Sequence, residues 1–207
     1  MFVGLARVPV PTPAALPTPL TFALRIAIAT DEQEKPVARP EWLAQEIAEA
    51  QRLFAPFGVA FARQEAPALG RAARHIETRA DRDALAARAA ARVVNVFIVE
   101  SLRDVDEEGR MRRGVHWHAP SGTHYVIVVA SAAPPVLAHE LGHFFGNPHS
   151  PVPDNVMSYE RAGGLVFFDD AQGRRIRERA QAYVRSGELA PVATVSSVLP
   201  APPATAP

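Results

Sequence analysis

The residues best suited to chemistry lie between His139 and His149, where the sequence follows the pattern H-E-x-x-H-x-x-G-x-x-H. On an α-helix, His139 and His143 share one face, one turn apart, so their imidazoles can point at one metal ion. Zinc accepts histidine nitrogens at about 2.0–2.1 Å and, in a catalytic site, keeps one position for water. Glu140 can reach that water as a general base. The pattern therefore predicts metal-assisted hydrolysis.

The second half of the pattern can supply a third metal ligand. Gly146 tolerates a positive φ, so it can end the helix and turn the chain sharply. Pro148 prevents the helix from continuing. The bend can return His149 to the metal. The alternative interpretation is a buried amphipathic helix with incidental histidines, but five fixed positions arise by chance far less often than H-E-x-x-H alone.

A methionine follows the motif at a short distance, in the segment 154–159 with the sequence Asp-Asn-Val-Met-Ser-Tyr. A long histidine motif followed by a methionine turn resembles the metzincin clan of zinc endopeptidases. The resemblance spans roughly residues 92–185. It implies that Met157 lies beneath the zinc as the floor of the site, without binding it.

This sequence combines features that resemble more than one metzincin group. The short gap from His149 to Met157, with Ser150 directly after the third histidine, resembles matrixins. The Met-Ser-Tyr triplet resembles astacins and serralysins, which implies that Tyr159 can approach the zinc as an extra ligand or stabilise the transition state as an oxyanion donor. The mixture indicates a divergent, bacterial-type metzincin.

The function expected from these residues is that of a zinc-dependent endopeptidase, in which a metal-activated water cleaves peptide bonds and Glu140 is the general base. Two alternatives remain open. One is a catalytically silent or latent zinc-binding scaffold that binds extended peptides. The other is an exopeptidase, since the sequence does not show whether the groove is open at both ends.

Residues 114–119 are expected to form the exposed edge of a sheet, which in metzincins binds extended substrate. An edge strand has free N–H and C=O groups, so a peptide can add to it. The candidate substrate-binding residues are Val115, His116, Trp117 and His118.

Further metals are possible, but they are not favoured. His116 and His118 share one face of a strand, and His124 is near in sequence, so the three can hold a second zinc or be ordinary groove histidines. The second zinc of matrixins includes an aspartate in a spacing that this sequence lacks. An oxygen-rich loop can bind Ca²⁺, but its spacing matches no recognised site. Its acidic residues are Asp104, Asp106, Glu107 and Glu108.

The elements around the motif predict an α+β, zincin-like fold with a twisted mixed sheet of about five strands. Apolar alternation or apolar runs predict strands over 20–29, 59–62, 92–100, 114–119 and 124–130. An apolar stripe predicts a long helix over 41–54 that packs on the sheet. A shorter helix is expected over 81–91, capped by Asp81. The site helix should end near residue 145, and a last helix, capped by Asp169 or Asp170, should run to about residue 185.

Length and composition predict one catalytic domain over residues 20–189, between a Pro-rich arm at 1–19 and a disordered Pro/Ala-rich tail at 190–207. Lys plus Arg (22) equals Asp plus Glu (22), so neither nucleic acid nor an acidic membrane is an expected partner. The expected partner is a peptide or protein substrate, and the expected state is a monomer.

The compartment is open. The chain has no cysteine, which excludes disulfides and thiolate zinc sites. No signal peptide or transmembrane run is visible, so a cytoplasmic protein is the default expectation, and a secreted one if the N-terminus is incomplete.

Overall fold

The computed structural model describes residues 19–192. The strands are β1 (Leu20–Ile28), β2 (Val59–Glu65), β3 (His75–Ile76), β4 (Val94–Val99), β5 (Ser101–Leu102), β6 (Gly114–His118) and β7 (His124–Val129). The α-helices are α1 (Pro40–Phe54), α2 (Arg79–Ala84), α3 (Val136–Phe144) and α4 (Asp170–Ser186). Short 3-10 helices lie at Ala55–Phe57, Arg71–Ala73 and Leu85–Arg88.

A five-stranded mixed sheet forms the centre of the fold, in the order β2-β1-β4-β7-β6. The pairs among β2, β1, β4 and β7 are parallel, and β6 runs antiparallel to β7 at one edge. Every residue of β4 is buried, as expected for a central strand covered on both faces. The predicted mixed sheet of about five strands is therefore confirmed.

Apolar side chains cover both faces of this sheet. The larger core lies between one face and helices α1, α3 and α4, with residues such as Phe54 and Phe145 at its centre. The second core lies on the opposite face and includes Phe97 and Tyr125, whose rings meet edge to face at 5.1 Å. Because α3 is part of the larger core, the helix that carries His139 and His143 is held firmly in place.

Side chains cap the N-termini of α2, α3 and α4, and the one that caps α3 is distant in sequence. No side chain of its own caps α3, and its Leu137 N–H donates instead to Glu46 of α1 at 2.9 Å. Asp169 caps α4 in a reciprocal capping box with Gln172, as predicted. The expected cap at Asp81 is wrong: Thr78 is the N-cap of α2 and Asp81 is its N3 partner.

The predicted N-terminal arm lies outside the described residues except for residue 19. Of the predicted tail, residues 190–192 are described, and they run along the sheet. Ala190 N donates to Arg92 O at 3.0 Å, and Val192 N donates to Thr21 O at 2.8 Å. The remainder of that tail lies outside the described residues. Within 19–192, no helix combines the length and apolar character needed to cross a membrane.

Candidate metal centre

Helix α3 brings its two motif histidines together. The Nε2 atoms of His139 and His143 lie 3.1 Å apart, and the rings meet edge to face. Each ring is oriented through its other nitrogen: His139 Nδ1 donates to Val156 O at 2.7 Å, and His143 Nδ1 donates to Asn147 O at 2.8 Å. A carbonyl only accepts, so both Nδ1 atoms carry the proton and both Nε2 atoms present a lone pair.

The bend after α3 returns the third histidine to the same point. Gly146 has a φ of 86°, and its N–H donates to His143 O at 2.9 Å, so it ends the helix as the sequence predicts. The chain then passes Pro148, and His149 Nε2 reaches 3.1 Å from His143 Nε2. The structure therefore brings together all three predicted ligands.

The lone pairs and the spacing of these three nitrogens suit a zinc ion. Lone pairs that face each other at 3.1 Å cannot hydrogen-bond to one another, and they repel unless a cation lies between them. Ligands of a tetrahedral zinc with Zn–N of about 2.05 Å are spaced by roughly 3.3 Å. Both nitrogen-to-nitrogen distances are close to this value. The site has three protein ligands and an open side, as catalytic zinc sites do.

Glu140 lies beside these histidines with only 6% of its surface exposed. Burial raises the pKa of its carboxyl from 4.5 to about 8, which the His116 backbone N–H and Arg112 partly offset. The carboxyl packs against the backbone of Gly114 at the start of β6. A Cβ on Gly114 would lie 2.8 Å from both Cγ and Oε1 of Glu140. The carboxyl of Glu140 is thus held between α3 and β6.

Met157, which the sequence resemblance places beneath the zinc, packs against helix α3. It is fully buried, and its sulfur packs directly against Gly142 in α3, where a side chain would clash. The turn is held by Asn155, whose Oδ1 accepts from Met157 N at 2.9 Å. The amide of Asn155 also exchanges two hydrogen bonds with Gln172 of α4, at 2.8 and 3.0 Å. The turn is therefore fixed to both helices.

Tyr159 lies at the open side of the centre, with 67% of its surface exposed. Its hydroxyl is 2.8 Å from His149 Nε2, the same nitrogen that faces His143. This position places a phenol beside the predicted metal and free of the core. It suits either role that the sequence suggests, extra ligand or oxyanion donor.

A groove passes across the site on both sides. One cavity of about 590 Å³ runs along β6 past His116 and His118. A second, of about 490 Å³, lies on the other side, beside Pro134 and Ser158. The two meet at His139, Glu140 and Tyr159, among other shared residues. The centre therefore lies within an open groove and not at the end of a closed pocket.

The predicted substrate strand is an edge strand, but its side chains face two ways. Val115 and Trp117 pack into the second core, away from α3. His116 and His118 lie on the other face, where the His116 ring is 5.4 Å from that of Phe144 in α3. The backbone of β6, rather than Val115 or Trp117, is thus available to an extended chain.

Three of the four carboxylates of the acidic loop pair with arginines. Asp104 contacts Arg112 at 2.6 Å, and Glu107 contacts Arg110 at 2.6 Å. Asp106 pairs with Arg79. These contacts involve three of the four carboxylates that the sequence offers for Ca²⁺.

The sequence alone does not predict that Gly114, Gly142, Asn155 and Gln172 are parts of the site. Gly142 lies inside the histidine motif, so the sequence itself indicates that this position of the helix can be closely packed. Gly114 and Gln172 act through contacts between elements that no local pattern reports. The buried amide of Asn155 contacts Met157. This contact indicates a role in the site only when the structure of the turn is known.

No protein-family model matches this chain, and no curated protein does. Solved structures do match it. One is the crystal structure of archaemetzincin from Methanopyrus kandleri, with 17% identity, a TM-score of 0.52, and coverage of 80% of this chain and 99% of that one. Another is the structure of a chaperone–substrate complex, with 11% identity, a TM-score of 0.52, and coverage of 82% of this chain and 36% of that one. These likenesses show the fold, which is similar to that of archaemetzincin.

Proposed function

We propose that this protein is a zinc-dependent endopeptidase. The observation that carries the proposal is the convergence of three imidazole Nε2 atoms next to a buried glutamate in an open groove. Support comes from the fold, which is shared with a protein named archaemetzincin, since the histidine motif of this chain resembles the metzincin clan.

Each residue of the site has a chemical role in this proposal. A zinc ion held by His139, His143 and His149 would lower the pKa of water and polarise the scissile carbonyl. Glu140 accepts a proton from the attacking water on its carboxylate and passes it to the leaving amine. Burial increases the proton affinity of this carboxylate. The Tyr159 hydroxyl donates a hydrogen bond to the developing oxyanion.

The groove favours cleavage inside a chain over removal of terminal residues. The cavities on the two sides of Glu140 leave room for peptide before and after the cut. The outer edge of β6 can pair with an extended peptide and set its direction. An exopeptidase needs one end of the groove closed.

The test is cleavage of a broad peptide library by zinc-loaded protein, with products read by mass spectrometry. We expect internal cuts that stop on chelation and that Glu140→Gln abolishes without loss of zinc. Glu178→Gln, an exposed residue on α4, is the matched control and should cleave like the wild type. Cleavage by Glu140→Gln at the parental rate would contradict the proposed role of Glu140.

Two other outcomes would favour the alternatives. Stepwise loss from one terminus would identify an exopeptidase. Zinc binding without any cleavage across the library would identify a silent scaffold that binds extended peptides.

A further inference from the structure

A second cluster of three histidines lies on β6 and β7, apart from the motif histidines. His118 and His124 are directly opposite each other in the antiparallel pair, and His116 is two residues along the same strand. Residues two apart in a strand share a face, so the three rings meet on the side of the sheet that carries α3. We propose that His116, His118 and His124 form a second zinc site, with Glu188 orienting His124.

The arrangement of these rings matches that of the motif histidines. The ring centroids of the second cluster are 4.5, 5.0 and 5.1 Å apart, against 4.6, 4.8 and 5.4 Å in the first. In each cluster one ring is steeply inclined to the other two, at 62° and 63° here and at 84° and 82° there. The two clusters therefore share a similar arrangement of rings, and in each of them one ligand atom per histidine lies within 4.8 Å of the others.

A carboxylate sets the tautomer of one histidine in the way that metal sites require. Glu188 Oε1 lies 2.5 Å from His124 Nε2 and only accepts, so that nitrogen carries a proton. In the neutral ring the His124 Nδ1 then presents a lone pair towards His116 Nε2, 2.8 Å away. A carboxylate behind a ligating histidine is the common outer support of protein zinc sites.

The surroundings allow a cation to enter and to stay. His118 is exposed towards the groove, and His116 is half-buried behind it. The His124 ring lies flat on Phe144, with centroids 4.3 Å apart, so an apolar side chain supports it. Arg179 lies nearby, and the carboxylate of Glu188 is the closer charge to His124.

A zinc ion here would tie the edge strand β6 to β7 and, through Glu188, to the segment after α4. Because β6 forms one wall of the groove, occupancy of this site would fix the strand that a peptide must pair with. The inference does not depend on the proposed peptidase activity. The alternative arrangement is a hydrogen-bonded chain from His116 through His124 to Glu188 that needs no metal.

The two arrangements differ in zinc stoichiometry. Tag-free protein is saturated with Zn²⁺, dialysed against a weak chelator, and its zinc per chain is measured by mass spectrometry, with circular dichroism to verify folding. We expect two equivalents in the wild type, one in His118→Ala, one in His149→Ala and none in the double variant. His75→Ala, outside both clusters, is the matched control and should retain two.

Equal zinc content in His118→Ala and the wild type would overturn the second site and leave the proposed function intact. Loss of zinc in His118→Ala but not in His149→Ala would support the second site and contradict the first.

Discussion

Glu140 depends for its position on a residue that has no side chain. Gly114 lets the edge strand β6 approach α3 so closely that the carboxyl of Glu140 packs on its backbone. On the other side of the site, Tyr159 is exposed, and its hydroxyl contacts the third histidine. The proposed mechanism thus relies on a closely packed glutamate and on an exposed phenol that contacts His149.

Gly114→Ala should damage catalysis without removing zinc. The new Cβ would also lie 3.0 Å from Val136 Cγ1, so Glu140 has to move. A displacement of about 1 Å at a catalytic group costs on the order of 100-fold in rate. We expect a loss of that size in kcat/KM with unchanged zinc content. Full activity in this variant would mean that Glu140 does not act from the observed position.

Tyr159→Phe should lower kcat while KM and zinc content stay close to those of the wild type. A single oxyanion donor contributes about 10²–10³-fold to kcat, so we expect a loss of at least about tenfold for an exposed donor. Steady-state kinetics on one peptide substrate measures this. An unchanged kcat would exclude the hydroxyl from the transition state, and zinc loss would instead identify Tyr159 as a ligand.

At the scale of elements, two other segments hold α3 in place. The Met157 turn packs against it, and α1 caps its N-terminus. The turn contacts α3 through Gly142 and contacts α4 through the amide pair of Asn155 and Gln172. Gln172 is also the N3 residue of the capping box that begins α4. The Met157 turn is therefore coupled to the last helix of the fold.

Asn155→Ala and Gln172→Ala should each destabilise the fold by about 2 kcal/mol, because each leaves a buried amide without its partner. The double variant should cost clearly less than the sum of the two, since both changes remove the same pair. Denaturant unfolding of the four proteins measures the coupling. Strict additivity would show that the two amides do not interact.

The sequence predicts the elements whose signals are local and misses contacts between distant segments. His139, His143 and His149 follow from spacing on a helix and a glycine turn, and β4 follows from an apolar run. The Glu46 cap of α3 acts across 91 residues of sequence, so no window along the chain contains it. The sequence does not distinguish Thr78 from Asp81, three residues later, because both residue types favour the N-cap position.

At the scale of the whole molecule, one buried carboxyl links two helices of the core. Glu46 has 1% of its surface exposed, and burial raises its pKa from 4.5 to about 7, with the Leu137 hydrogen bond opposing and the nearby Glu49 adding to the rise. The folded protein therefore holds this proton up to about pH 7, whereas the unfolded chain releases it near 4.5. Across this window the folded protein binds more protons than the unfolded chain. The free energy of unfolding therefore falls as the pH rises from about 4.5 to about 7.

Glu46→Gln should remove that loss, because a glutamine amide oxygen can still accept from Leu137 N without a charge. A shift from 4.5 to about 7 corresponds to about 3 kcal/mol at most. We expect the variant to gain about 1–3 kcal/mol on the wild type between pH 5 and pH 8, as measured by urea unfolding. Glu41→Gln, exposed on the same helix, should follow the wild type. If the difference in free energy of unfolding between Glu46→Gln and the wild type does not change with pH, the pKa of Glu46 is not raised.

The proposed mechanism requires that three histidines hold one zinc ion next to Glu140. Diffraction from crystals of the zinc-loaded protein, collected on both sides of the zinc absorption edge, tests this requirement. We expect an anomalous peak about 2.0–2.1 Å from Nε2 of His139, His143 and His149. Its absence at full zinc loading would show that these nitrogens do not bind zinc, and the proposed peptidase mechanism would fail with it.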